Sequence, residues 1–498
     1  MKFGKIAIFF SLIIMLVAFL YRDYNVNYAM FSNSDKVYYQ NELKIGLSDN
    51  KITLNGRTIR NNNGSVYTSN DVEYYENRDF YDSGRDYGKG NDADKHTAEE
   101  AAEVTVVNIT HPGNYRISGN LSNGQIRVDL GKNADENETA VVNLILDGVD
   151  INCNIAPAII FKNVYECGND DIEQASINVD TSAAGANITI ADGSINNLTG
   201  SHVAKILKDS DEGKKLCKQD GTIFSEVSLN INGEPNNTGV LNVNADFEGI
   251  SSNLHITING GNINIVSLDD GINTNEKDVS VTTINGGNIR ILAGLKEDGG
   301  DGIDSNGYIV SNGGTTVSIG HHRTDSGIDN DAGYFANGGT LISYGSYVDW
   351  AEVGSTQEVF NLQFENNLSD QDFILITDED GNAVFCYDPS LDEMLLPYSF
   401  QRFGFVITSP NFELGKNYNL YVGYNKNEAD TIDGTHYNGM YDVSTITSFN
   451  AVQQKWYAND DYDHGGFGRE KGKSYDIAST NFVMDRIVSC YALIYDAE

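Results

Sequence analysis

The chain is short of positive charge, cysteine and proline. Lysine and arginine total 33 against 71 aspartates and glutamates, a net charge of −38. Nucleic-acid binding needs a basic footprint and attachment to anionic lipid needs basic clusters, so the balance argues against both. The five cysteines (Cys153, Cys167, Cys217, Cys386 and Cys490) are odd in number and scattered. Their spacing matches neither a metal site nor a dense disulfide framework, and buried free thiols account for Cys153 and Cys167 as well as a bridge does. Proline occurs six times and glycine 50 times, while 40% hydrophobic residues are too many for a disordered chain. With 498 residues there is room for two or three domains and at least one large core.

Lys2 and Lys5 precede an apolar run from Ile6 to Leu20, which Tyr21, Arg22 and Asp23 end. A run of 15 residues suits the apolar core of a signal peptide better than a full membrane span. There is no clean small-x-small cleavage site and no nearby cysteine for a lipid anchor. Residues 1–22 therefore read as a signal peptide or an uncleaved N-terminal anchor, the only membrane attachment expected. The remainder reads as exported, either secreted or held at the cell surface. Residues 23–98 are polar, rich in asparagine and tyrosine, and read as a spacer.

Regular alternation begins near Val104, with Ile109, Tyr115, Ile117, Ile126 and Val128, then Val142, Leu144 and Leu146. From residue 220 the strands become a repeat. Asn-Gly-Gly recurs at 259, 285, 312 and 337, at spacings of 26, 27 and 25, each time followed by an alternating strand such as Asn262-Ile263-Asn264-Ile265. Gly-Ile recurs at 249, 271, 302 and 327, and Gly221-Thr222-Ile223 opens the series. Two signatures in constant order mean one coil per repeat. Period-2 runs of four to six residues exclude helical repeats, and the period is too short for a propeller blade. A parallel β-helix over residues 99–350 is the expectation, with glycines at tight corners and an internal ladder of the repeated asparagine. Beyond Trp350, strands at Val359–Phe364, Phe373–Thr377, Ala383–Tyr387, Phe403–Thr408 and Tyr418–Tyr424 predict a small β-sandwich over 351–452, with a tail over 453–498.

The acids are concentrated. Residues 245–331 hold thirteen Asp or Glu and four Lys or Arg, and many of the acids flank Gly-Ile. Adjacent coils lie roughly 4.7–4.9 Å apart, so equivalent carboxylates would repel one another. Calcium, which takes six to eight oxygen ligands, would relieve that repulsion. The candidate ligands are Glu248, Asp269, Asp270, Asn273, Asp298, Asp301, Asp304, Asp325, Asp329 and Asp331. Solvated Asp-Gly turns are the plain alternative. Calcium could also bridge protein carboxylates to the uronates of an acidic polysaccharide.

Several stretches resemble the secreted carbohydrate-binding domain family of clostridia and their relatives. They are Gly113 to Leu121 with Gly124-Gln125-Ile126, Leu144 to Ile151, Asp220 to Ser225, and the Gly-Ile and Asn-Gly-Gly coils. Phe405 to Pro410, Tyr418 to Gly423 and Thr435 to Tyr441 follow in order, so the resemblance covers roughly 105–450. Residues 201–219 look like an insertion. The resemblance implies an all-β fold: a right-handed parallel β-helix of polysaccharide-lyase type followed by a small β-sandwich-like domain. It also implies calcium at the acidic corners and binding of cellulose or pectin-type glycans without established cleavage.

Two other readings stand beside a monomeric polysaccharide-binding protein. A lyase needs calcium on the uronate and a base, for which Lys296 is the first candidate, then Arg290 and Arg323. Lys296 and Arg323 are also the candidate carbohydrate contacts. A calcium-stiffened surface rod is the third reading. Adjacent His321 and His322 do not suit one metal site, because neighbours on a strand face opposite ways. Tyr437, Tyr441, Trp456, Tyr457 and Tyr462 are candidates for stacking on sugar or for ordinary packing.

Overall fold

The structure is a computed structural model. It describes residues 42–59, 64–75, 94–168, 170–207, 215–296, 299–346, 349–368, 372–394, 402–424, 430–458, 482–484 and 488–494. The targeting segment, Asp298 and Tyr462 lie outside the described residues. From Leu43 onward the chain forms one compact unit.

The chain is all-β, and its body is a stack of coils built from parallel strands. One ladder runs Ala186–Ile190, Leu229–Gly233, Ile256–Ile258 and Val281–Ile284. A second runs Ile195–Gly200, Val240–Ala245, Asn262–Ser267 and Asn288–Leu292. Both ladders share the long strands Val142–Cys153 at one end and Tyr308–Ile319 at the other, which closes them into one ring of parallel neighbours. A third ladder contains the Gly-Ile strands. Its register stacks Ile126, Ile159, Ile223, Ile250, Ile272, Ile303 and Ile328 in one column. All seven are fully buried. One isoleucine per coil, always at the same register, gives the stack a continuous apolar interior and pins each coil to the next.

The expected asparagine ladder is present, but on the outside. Asn259, Asn285, Asn312 and Asn337 each donate through Nδ2 to the Oδ1 of the preceding member, starting from Asn232, over 2.9, 2.9, 2.9 and 3.3 Å. Thr356 caps the free end, donating to Asn337 Oδ1 over 3.0 Å. The second glycine of each motif turns the corner at positive φ (104°, 95°, 78° and 84° at Gly261, Gly287, Gly314 and Gly339). The asparagine before it points to solvent rather than into the apolar interior.

The stack begins earlier than the spacer boundary at 98/99, because Leu43–Leu47 runs parallel beside Gly113–Leu121. The segment 201–219, expected as an insertion, holds an antiparallel pair, Val203–Leu207 with Lys215–Gln219, that joins neither stack nor ring. Cys153, Cys167 and Cys386 are free thiols.

The chain beyond 350 is tied to the last coil. Arg402–Thr408 pairs antiparallel with Gly333–Gly345 and with Val359–Leu368. Val488–Ile494, in the segment expected as a tail, lies parallel to Val359–Leu368 and pairs with Lys455–Ala458. A second sheet contains Asp372–Asp378, Ala383–Tyr387 and Asn417–Tyr424. It packs Ile374, Ile376, Phe385, Leu420 and Val422 against Leu292, Val317, Ile319, Ile342 and Tyr344 of the coils. The C-terminal core is thus shared with the stack.

Candidate functional site

The Gly-Ile column fixes where the acids fall. One residue after each stacked isoleucine come Ser251, Asn273, Asp304 and Asp329, paired in register from coil to coil. Two residues before it come Glu248, Asp270, Asp301 and Ser326. Their alignment is set by Gly249 N donating to Asp270 O (2.9 Å), Gly271 N to Asp301 O (2.9 Å) and Gly302 N to Ser326 O (3.0 Å). The repeat therefore lines up two columns of oxygen-bearing side chains along one edge.

This edge is largely inside the protein. Glu248, Asn273 and Asp301 are buried, and Asp270 is half-buried as a residue although its carboxyl group is enclosed by protein. Asn273 Nδ2 donates to Glu248 Oε1 (3.0 Å) and Asp270 Oδ2 (2.9 Å). Asp270 Oδ1 accepts from Asp301 N (2.8 Å), and Asp301 Oδ1 accepts from Ser326 N (2.7 Å). Burial, then the charges of Asp304, Asp269 and Glu248, drives the Asp270 pKa well above the usual carboxylate range. Burial, then Asp270 and Asp329, does the same for Asp301. The charges acting most strongly on both are negative.

The edge extends beyond the repeat. Asp349 accepts from Asn330 N over 3.1 Å and also from its Nδ2. Burial and Asp329 push the Asp349 pKa up to about 7. Nothing in the sequence marked Asp349, which stands outside any Gly-Ile motif.

The candidate ligands are not equivalent. Asp325 accepts from Gly300 N (2.7 Å) and Thr324 Oγ1 (2.6 Å) beside the edge, and Asp331 is exposed. Among the described residues no three His, Cys, Asp or Glu converge on one point poised to hold an ion. The donor chemistry nevertheless fits a hard cation, because the donors are all oxygens and Asn273 Oδ1 is buried without a hydrogen-bond partner. Asp270, Asp301, Asp304 and Asn273 are the side chains that could contribute oxygen ligands to such a cation, which would supply positive charge to the edge.

Lys296 lies beside this edge, its amide donating to Leu268 O (3.0 Å) and its Nζ 4.3 Å from the centre of the Phe247 ring. His202, beside the antiparallel pair Val203–Leu207 and Lys215–Gln219, stacks on the same ring with centroids 4.7 Å apart. His202 also contacts Asp246 (3.2 Å) and Asp94 (3.4 Å). Arg290, the next base candidate, is buried against Asp392, and Arg323 is exposed, donating to His322 Nε2 over 3.1 Å. His321 and His322 meet only ring to ring, at 4.7 Å.

Burial alone would lower the His202 pKa, but the hydrogen bonds and charges of Asp246 and Asp94 outweigh it and raise it to about 9 from 6.5. That stability is fully present below pH 6.5 and lost as pH rises through 9. Discounted for solvent at the half-exposed Asp246, it amounts to about 1–2 kcal/mol. His202→Gln should remove it. The stability gap between wild type and variant in urea should narrow between pH 7 and 9.5, whereas a constant gap would show that His202 is not charged in the fold.

A family profile described as carbohydrate-binding domain-containing protein matches residues 103–168 and 170–356. A carbohydrate-binding domain-containing protein of Acetivibrio thermocellus is 33% identical over 179 residues, covering 35% of this chain and 51% of its own length. The chain thus spans about half the length of that relative. A solved structure of a polysaccharide lyase-like protein from C. thermocellum, a gadolinium derivative, aligns with a TM-score of 0.35 and 24% identity over 60% of this chain and 93% of the other.

Proposed function

The chain belongs to the carbohydrate-binding domain-containing family, and from that premise we propose that it is an extracellular, calcium-dependent, non-catalytic binder of plant cell-wall polysaccharide, either cellulose or pectin-type uronate. On this reading it is one of the secreted clostridial-type proteins. Its coils form a right-handed parallel β-helix, and its C-terminal sheets form a sandwich built against the last turns. Export rests on Lys2, Lys5 and the apolar run that follows them.

The observation that carries the reading is the double column of Glu248, Asp270 and Asp301 with Asn273, Asp304 and Asp329. Buried carboxylates that repel one another either keep their protons or take up a cation. Calcium held by Asp270, Asp301, Asp304 and Asn273, with waters completing its shell, would neutralise the edge and leave positions for uronate oxygens. Glu248, Asp269, Asp325, Asp329 and Asp349 would act from the flanks.

Retention on insoluble cellulose and on polygalacturonate, with and without chelator, tests this. Binding that a chelator removes and calcium restores is expected on the uronate polymer. Retention on polygalacturonate that a chelator leaves unchanged would sink the calcium bridge.

One observation keeps a lyase in view: Lys296 lies beside the acidic edge, against Phe247. Unsaturated products absorbing in the ultraviolet on polygalacturonate, lost in Lys296→Ala, would establish catalysis. A calcium-dependent rise in melting temperature with no glycan binding would instead favour the structural rod.

A further inference from the structure

A cavity of about 340 Å³ lies between the outer face of the coils and the hairpin His436–Tyr441. Its floor comes from the second parallel ladder, with Asn288 and Arg290 on one coil and Thr315 on the next. Its other wall carries His436, Tyr437 and Asp442. This volume is at the lower end of the range for small-ligand pockets, roughly 300–1,000 Å³.

The outer face of the coils changes character at this place. Asn197, Asn242 and Asn264 form a regular amide column, each linked to the next over 2.9 Å. The next rung is Arg290 instead of asparagine, and the one after is Val317. Arg290 Nη1 donates to Asn264 Oδ1 (3.2 Å), while Nε donates to Asp392 Oδ2 (3.3 Å) and Nη2 pairs with Asp392 Oδ1. The guanidinium fork is therefore committed to protein acceptors, which leaves a polar wall with its charge balanced.

The opposite wall is held rigidly. Asn438 and Gly439 form the turn at φ 52° and 81°, the tight geometry an Asn-Gly hairpin favours. Gly439 O accepts from Asp388 N over 2.8 Å, and Met440 pairs with Tyr387 in the C-terminal sheet. Tyr437 is 61% exposed at the rim although large and aromatic. Asp442 is fixed by accepting from Ser444 N (3.1 Å) and Ser444 Oγ (2.6 Å).

We infer that this cleft is a sugar subsite for a neutral glycan chain, separate from the calcium edge. An exposed tyrosine offers a face for the C–H side of a pyranose ring, and amide, hydroxyl and carboxylate groups around it suit sugar hydroxyls. A uronate is disfavoured here, because Arg290 is already neutralised by Asp392 and Asp442 adds negative charge. The inference rests on the carbohydrate-binding reading above, but it needs no calcium.

The test compares wild type, Tyr437→Ala and Tyr437→Phe by calorimetric titration with cellohexaose and a panel of neutral xylan, mannan and β-1,3-glucan hexasaccharides in chelator. Retention on polygalacturonate with calcium is measured alongside. Tyr437→Ala is expected to weaken the best neutral hexasaccharide at least tenfold, about 1.4 kcal/mol. Tyr437→Phe should stay close to wild type, and polygalacturonate retention should not change. Equal affinity in wild type and Tyr437→Ala would overturn the subsite. Polygalacturonate retention without binding of any neutral oligosaccharide would overturn the subsite but leave the broader reading standing. Failure on every glycan would overturn both.

Discussion

Calcium added to chelator-treated protein is expected to raise the midpoint of thermal unfolding. A ligand at one hundred times its Kd contributes about 2.7 kcal/mol, which for a folded unit of this size is about 3 °C. Asp270→Asn should abolish that response. In the metal-free protein the same substitution removes a buried carboxyl facing Asp304, Asp269 and Glu248 and keeps an acceptor for Asp301 N, but it sets a new Nδ2 against the Asn273 Nδ2 that Asp270 Oδ2 accepts from, so that midpoint should move little. A cation ligand predicts loss of the calcium response, and a residue that holds no cation predicts an unchanged one. Calorimetric scans of both proteins, with calcium and with chelator, decide between them. An unchanged calcium response in the variant would remove Asp270 from the site.

The second large effect concerns the join between the coils and the C-terminal sheets. Arg290 is 9% exposed and Asp392 is fully buried, and they are 102 residues apart in sequence. Asp392→Ala would leave the guanidinium buried and uncompensated, at a cost of about 3–5 kcal/mol. Replacing both residues, with Arg290→Met and Asp392→Leu, should recover most of the loss, since an apolar pair of similar bulk needs no neutralisation. Urea denaturation followed by tryptophan fluorescence measures both. A loss below about 1 kcal/mol in Asp392→Ala would show that water reaches the pair and screens it.

What could be read in the sequence follows from the range of the forces involved. The coil repeat was legible because each coil meets the same local demands: glycine at the corner and isoleucine at the buried register. The strand Ala383–Tyr387 appears where the alternation put it, and Asp372–Asp378 differs from expectation only at its ends. The acids beside Gly-Ile were legible as a series because register copies sequence position into space. Asp349 and His202 were not, since each occurs once and reaches the edge by a path that no local pattern encodes. The direction of the asparagine ladder was not legible either, because period and spacing fix that residues stack but not which side of a corner they face. The attachment of Arg402–Thr408 to the last coil depends on pairing across more than fifty residues, which alternation alone does not specify.

That attachment also governs how the molecule meets copies of itself. A stack of parallel coils ends in a row of unpaired backbone groups, a template on which another chain could add. At the far end Arg402–Thr408 runs antiparallel along Gly333–Gly345. At the near end Thr53–Leu54 runs antiparallel along Leu43–Leu47, and Val66–Ser69 along Thr105–Ile109. Each reversal replaces the evenly spaced parallel ladder with the alternating hydrogen-bond pattern of an antiparallel pair. The same chain that repeats a unit many times thus covers these coil edges with antiparallel strands of its own, so they are not left as bare parallel templates.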